Sequence, residues 1–148
     1  MSDQAKLDLA NSPLSRRAIL CGVAVISFGF VPEAAIAATG VTQTKDKKIR
    51  VDLKVNKNLA KVGGVVTIDL SDGSSIALVR TAKTITGFTA LNLSCTHQGI
   101  TVQQNGNAWL CPAHGSQYAL NGKLINGPAR SALMKFPVKA TSSAVIIG

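Results

Sequence analysis

Residues 49–148 predict an all-β domain, a sandwich or small barrel of short antiparallel strands. Three observations lead there. Short apolar or alternating segments recur along the stretch. Turn-forming pairs separate them at close intervals: Gly63-Gly64, Asp72-Gly73, Asn105-Gly106 and Asn121-Gly122. Nothing in the stretch repeats with the 3.6-residue period of an amphipathic helix.

The elements follow in chain order. Segment 49–55, Ile-Arg-Val-Asp-Leu-Lys-Val, alternates apolar and polar as a half-buried strand does. Residues 65–70 form a strand held between two of the turn pairs, and 75–80 and 84–93 form two more. Asn105-Gly106 and Asn121-Gly122 sit between strand-like segments, where a hairpin turn requires residues that tolerate positive φ. Segments 133–140 and 144–147 close the chain, with no internal repeat and no low-complexity tract. The 148 residues suffice for one domain with one core. Hydrophobic residues at 46% against 16% charged make this a globular composition rather than a disordered one. With aromatics at 4%, the core must be mainly Val, Ile, Leu and Ala.

An export segment precedes the domain. Arg16-Arg17 stands before an apolar run over 18–31, too short to span a bilayer, which needs about 20 apolar residues. Ala35-Ile36-Ala37 supplies the small residues of a cleavage site, so 1–37 reads as a twin-arginine-type signal peptide with Ala38 as the new N-terminus. The alternatives are an ordinary unfolded-chain export signal and an uncleaved anchor that leaves the protein membrane-associated and facing the periplasm. Cys21 is not a lipoprotein cysteine, because almost no apolar region precedes it and Leu20 fills a position that needs a small residue. Residues 38–48 are polar and charged without periodicity and read as a flexible lead-in.

The formal net charge is +9, and the first 37 residues contribute nothing, since Lys6, Arg16 and Arg17 balance Asp3, Asp8 and Glu33. The excess lies downstream, with a cluster at Lys45, Lys47, Lys48 and Arg50. No basic helix with interleaved aromatics marks a nucleic-acid binder. The charge serves solubility, or attraction to an acidic protein partner or an anionic membrane surface.

Two short motifs carry the chemistry: Cys95-Thr96-His97-Gln98-Gly99 and Cys111-Pro112-Ala113-His114-Gly115-Ser116. Both histidines of the chain and both cysteines left after cleavage fall in them. In an oxidising compartment the two thiols form a disulfide or bind metal, and the adjacent imidazoles favour metal. Glycines 99 and 115 let backbone approach the site closely. Two Cys and two His suit either a tetrahedral structural zinc or a [2Fe–2S] cluster with cysteines on one iron and histidines on the other. C2H2 zinc spacings usually run C-x2–4-C and H-x3–5-H, which this chain does not follow. Trp109 reads as core packing.

These motifs resemble the Rieske family, whose pattern is C-x-H, a spacer, then C-x-x-H-G-S. The likeness runs from about Lys57 to Pro137 and is sharp from Cys95 to Ala129. It implies an antiparallel β-sandwich base with a small cluster-binding subdomain at about 91–129, within a domain over 49–148. It also implies one [2Fe–2S] cluster, with Cys95 and Cys111 on the buried iron and His97 and His114 on the outer, reducible one. Ser116 and Tyr118 match the serine and tyrosine of high-potential members, where they donate hydrogen bonds to a bridging sulfide and to the sulfur of Cys95. Asn126-Gly127-Pro128-Ala129 resembles the proline loop that covers the cluster. Without that likeness Ser116 is a plain turn residue and Tyr118 a strand aromatic.

The chain departs from the pattern of cytochrome bc and bf subunits, C-T-H-L-G-C and C-P-C-H-G-S. Their loop-bracing disulfide is replaced by Ile100 and Ala113, and the leucine that docks on cytochrome b by Gln98. The first expectation is therefore one-electron transfer in the periplasm through a high-potential cluster. The chain would act as a shuttle between redox protein partners, or as the small subunit of an exported oxidoreductase similar to arsenite oxidase. The alternatives are the Rieske subunit of a quinol-oxidising cytochrome bc-type complex and a zinc-stabilised module without redox function. No nucleophile, acid–base pair or substrate pocket points to a stand-alone enzyme.

Overall fold

The computed structural model describes residues 39–148. The export segment expected at 1–37 lies outside them. Among the described residues no helix is long and apolar enough to cross a membrane.

The described residues are all-β. Among them are twelve strands: β1 (Val41–Gln43), β2 (Ile49–Asp52), β3 (Val65–Asp69), β4 (Ser75–Arg80), β5 (Phe88–Asn92), β6 (Gln103–Asn105), β7 (Ala108–Leu110), β8 (Gln117–Ala119), β9 (Leu124–Asn126), β10 (Lys135–Phe136), β11 (Val138–Ala140) and β12 (Ala144–Ile147). They form three four-stranded sheets, ordered β1-β2-β12-β11, β10-β5-β4-β3 and β6-β7-β8-β9. Every pairing is antiparallel.

The second sheet is the shared layer. Ile76-Ala77-Leu78-Val79 in β4 is an unbroken apolar run because both its faces are covered. Ile76 and Leu78 pack with Phe88 and Ala90 against Ile49, Val51, Val145 and Ile147 of the first sheet. Ala77 and Val79 face the other way and pack with Leu91, Leu93, Trp109 and Tyr118 beneath the third sheet. Period-two geometry thus gives one strand two cores. The third sheet is an excursion between β5 and β10, and those two strands are themselves paired through Leu91–Lys135 and Ala90–Phe136.

Strands 75–80 and 144–147 and all four turns stand where the sequence puts them. Four expectations change. Segment 49–55 stops at Asp52, whose carboxylate accepts the Lys54 N–H at 2.8 Å and whose carbonyl accepts the Asn56 N–H at 3.1 Å. An Asx turn and a backbone turn together replace the ladder. Segment 84–93 begins only at Phe88, because Gly87 closes a turn onto the Thr84 carbonyl at 2.9 Å. Segment 133–140 is split at Pro137, which has no N–H to donate, so β10 joins the second sheet and β11 the first. The lead-in 38–48 is not flexible throughout: β1 pairs with β2, Val41 is buried, and the Thr44 N–H reaches the Lys48 carbonyl at 2.7 Å. A short 3-10 turn over Lys57–Ala60 also forms and seats Leu59 in the first core.

Candidate metal centre

The two Cys/His loops fold by one rule. In the first, the Cys95 N–H donates to the Ile100 carbonyl at 2.8 Å, and the Cys95 carbonyl accepts the Gly99 N–H at 2.7 Å. In the second, the Cys111 N–H donates to the Ser116 carbonyl at 2.8 Å, and the Cys111 carbonyl accepts the Gly115 N–H at 3.0 Å. The glycine four residues on has φ of +76° in one loop and +73° in the other, a conformation that side chains with a Cβ rarely adopt. The loops spring from adjoining supports: β5 leads into the first, and β7 and β8 flank the second.

This geometry turns the cysteines inward and the histidines outward. Cys95 and Cys111 are each 2% exposed and both are free thiols. His97 and His114 are exposed, with ring centroids 4.9 Å apart at an interplanar angle of 89°. Sulfur therefore lies beneath imidazole, and two rings share one solvent face.

A third loop closes over the second. The Ala129 N–H donates to the buried Ser116 Oγ at 3.2 Å. Gly127, at φ +112°, passes so close to Ser116 that a Cβ there would collide with its backbone. Pro128 follows, exposed. Tyr118, fully buried on β8, holds its hydroxyl 3.3 Å from Cys95 Sγ. The same hydroxyl accepts the Thr96 N–H at 3.2 Å and lies 3.1 Å from Thr96 Oγ1, which donates to the Ser131 carbonyl at 2.7 Å.

These contacts set the electrostatics. Burial pushes the Cys95 thiol up, but hydrogen bonds from Tyr118, the His97 backbone, Cys111 and Ser116 outweigh it, so the thiol lies below its ordinary range. Tyr118 is raised, first by burial and then by the Cys95 sulfur, with Thr96 opposing. The site favours thiolate at Cys95, the form that binds metal.

The structure thus brings together all eight residues singled out in the sequence: Cys95, His97, Cys111, His114, Ser116, Tyr118, Gly127 and Pro128. Trp109 packs in the second core and bonds the Leu120 carbonyl at 3.3 Å. Sequence reasoning missed Thr96 and Ser131, which tie the first loop to the third.

An all-β base bearing an inserted sheet, with paired Cys/His loops at its tip, defines a metal-binding domain with a two-thiol, two-imidazole donor set. Residues 50–137 match the family model of the Rieske [2Fe-2S] domain, and the chain belongs to that family. Its cofactor is one [2Fe–2S] cluster, which displaces the zinc alternative. The donor set fits it: two buried thiols, two exposed imidazoles, and a tyrosine hydroxyl already bonded to one sulfur. The chain is 33% identical over 123 residues to cytochrome b6-f complex iron-sulfur subunit 1 of Nostoc sp. strain PCC 7120, covering 80% of this chain and 68% of the relative. It is 32% identical over 122 residues to the corresponding subunit of Synechococcus elongatus, with the same coverage. Among solved structures, the cyanobacterial plasma membrane Rieske protein PetC3 of Synechocystis PCC 6803 superposes with a TM-score of 0.50 at 24% identity, over 60% of this chain and 90% of that one. The quaternary ammonium Rieske monooxygenase CntA, in complex with L-carnitine, gives 0.52 at 20% identity, over 63% and 30%. Both likenesses concern the fold. The function of the chain is Rieske-type iron–sulfur electron transfer.

Proposed function

We propose that this chain is a high-potential Rieske carrier, exported to the periplasm, with Cys95 and Cys111 on the inner iron and His97 and His114 on the outer. The cluster supplies a one-electron couple when bound. Neutral imidazoles leave the site less negative than four thiolates, consistent with the range of roughly −150 to +300 mV for His-ligated centres. The observation that carries the high-potential reading is the fully buried Tyr118 hydroxyl, 3.3 Å from Cys95 Sγ. Donors to sulfur withdraw electron density and favour the reduced state. A redox titration followed by EPR tests this: a midpoint well below −150 mV would sink it.

Export through Arg16-Arg17 gives the cysteines a consistent history. A cluster assembled in the cytoplasm protects Cys95 and Cys111 from pairing in an oxidising compartment, provided the protein crosses the membrane folded. Replacing both arginines with lysine should strand loaded, uncleaved precursor in the cytoplasm. Cleaved, loaded protein outside the cell would refute that route.

A second reading, the Rieske subunit of a quinol-oxidising complex, is favoured by relatives that are cytochrome b6-f subunits matched over 68% of their length. Gln98 at the exposed tip, in place of leucine, weighs against an apolar quinol-pocket interface. Co-purification of the full chain with a b-type cytochrome and quinol-dependent reduction would establish it.

A further inference from the structure

The charges of this protein are unevenly distributed along its sequence. From Gly73 to the end of the chain there is no aspartate or glutamate, while Arg80, Lys83, Lys123, Arg130, Lys135 and Lys139 all fall there. The acidic groups of the described residues are Asp46, Asp52, Asp69 and Asp72, on or beside β2 and β3. The third sheet and the three site loops contain none.

One of these cations is held against the centre. Arg130 lies between Ala129, whose N–H is bonded to Ser116 Oγ, and Ser131, whose carbonyl is bonded to Thr96 Oγ1. Its backbone is thus fixed from both sides while the residue itself is exposed. With Thr96, His97 and Pro128, Arg130 lines a recess of about 490 Å³ whose lining holds no carboxylate. An exposed guanidinium beside an exposed imidazole, on a face free of acid, suits a carboxylate. Arginine's planar fork grips that group through two parallel bonds.

We propose that this recess is the docking point of an acidic redox protein, with a partner carboxylate seated on Arg130 beside His97. The proposal rests on the placing of His97 and His114 on the outer iron, which makes the histidine face the exit for electrons. One electron then passes from the reduced site to the oxidised partner, and no atom is transferred. The net charge of +9 steers the encounter, and Arg130 sets its register.

The test uses loaded protein at about 10 mM ionic strength, where charges act over about 30 Å. Hexacyanocobaltate(III), a redox-inert trianion, is titrated by calorimetry into wild type, Arg130→Gln and Lys45→Gln. A unit charge about 8 Å from a trianion in water corresponds to roughly a tenfold effect on binding. Arg130→Gln should lose about that much, Lys45→Gln less than about twofold, and a hexaglutamate peptide should displace the trianion from wild type. Stopped-flow oxidation of the reduced protein follows, with hexacyanoferrate(III) becoming hexacyanoferrate(II), against the cationic tris(phenanthroline)cobalt(III). Arg130→Gln should slow the anion and not the cation, with the EPR spectrum unchanged. Undiminished trianion binding in Arg130→Gln would overturn the docking proposal alone. Weakened binding with unchanged rates for both reagents would overturn the electron-exit reading, and docking with it. Arg130-dependent binding to phosphatidylglycerol vesicles at about 0.15 M salt would assign the recess to a membrane surface and overturn the protein-partner assignment.

Discussion

Replacing Tyr118 with phenylalanine removes one oxygen from a crowded junction, and the proton count there sets what should follow. Thr96 Oγ1 has one proton and spends it on the Ser131 carbonyl at 2.7 Å, so toward Tyr118 it can only accept. The Tyr118 hydroxyl has one proton and two acceptors, Cys95 Sγ at 3.3 Å and Thr96 Oγ1 at 3.1 Å. The sulfur therefore receives a shared bond. A full bond to a charged group contributes about 1.5–3 kcal/mol. Present in one oxidation state alone, it would shift a one-electron couple by about 65–130 mV, at 59 mV per tenfold. The bond exists in both states and is divided, so Tyr118→Phe should lower the midpoint by roughly 30–60 mV. It also strips the Thr96 N–H of its acceptor, at about 1 kcal/mol of stability. Protein-film voltammetry on loaded protein measures the shift, with EPR as the check that the cluster is intact. An unchanged or raised midpoint with an intact spectrum would refute this account.

Other substitutions probe the same architecture. Cys95→Ser and His114→Ala should lose the cluster, read as iron and acid-labile sulfide, because no disulfide holds the loops. Either variant with two irons and an unaltered spectrum would contradict the ligand assignment. Gly127→Ala combines a disallowed φ of +112° with a backbone collision at Ser116, so it should destabilise loaded protein by about 1–3 kcal/mol in denaturant titration and shift its midpoint. Thr96→Val breaks the link to Ser131 and should cost about 0.5–1.5 kcal/mol, whereas Thr96→Ser should retain most of it; equal losses would show that the hydroxyl link contributes nothing.

How far the sequence spoke depended on whether local chemistry or distant packing decided the outcome. Strand β4 was legible because Asp72-Gly73 bounds it and because an apolar run of that length must be covered on both faces. Residues 84–86 misled because Ile85 sits between two threonines and mimics alternation, yet Ile85 is 60% exposed. Pro137 was a visible signal of the break between β10 and β11. Strand β1 was not visible, since three residues with one buried side chain carry no period and exist through pairing with β2. The Cys and His loops stood out because scarce residue types concentrate there. Thr96, Arg130 and Ser131 are common residues, and their roles arise only when the third loop folds back across more than thirty residues onto the first.

The pairing of β5 with β10 has a consequence for how such a domain can be altered. Leu91 and Lys135 sit opposite one another, so the excursion that carries the centre leaves and rejoins the base at neighbouring points. Chain ends that close are where insertions are tolerated, which makes the tip portable: another tip could be grafted between the same two strands. Deletion is a different matter. The face of the second sheet beneath the tip is Ala77, Val79 and Leu91, all at most 1% exposed, and a bare hairpin would leave that apolar surface to water. The base can exchange its cap, but it cannot go uncapped.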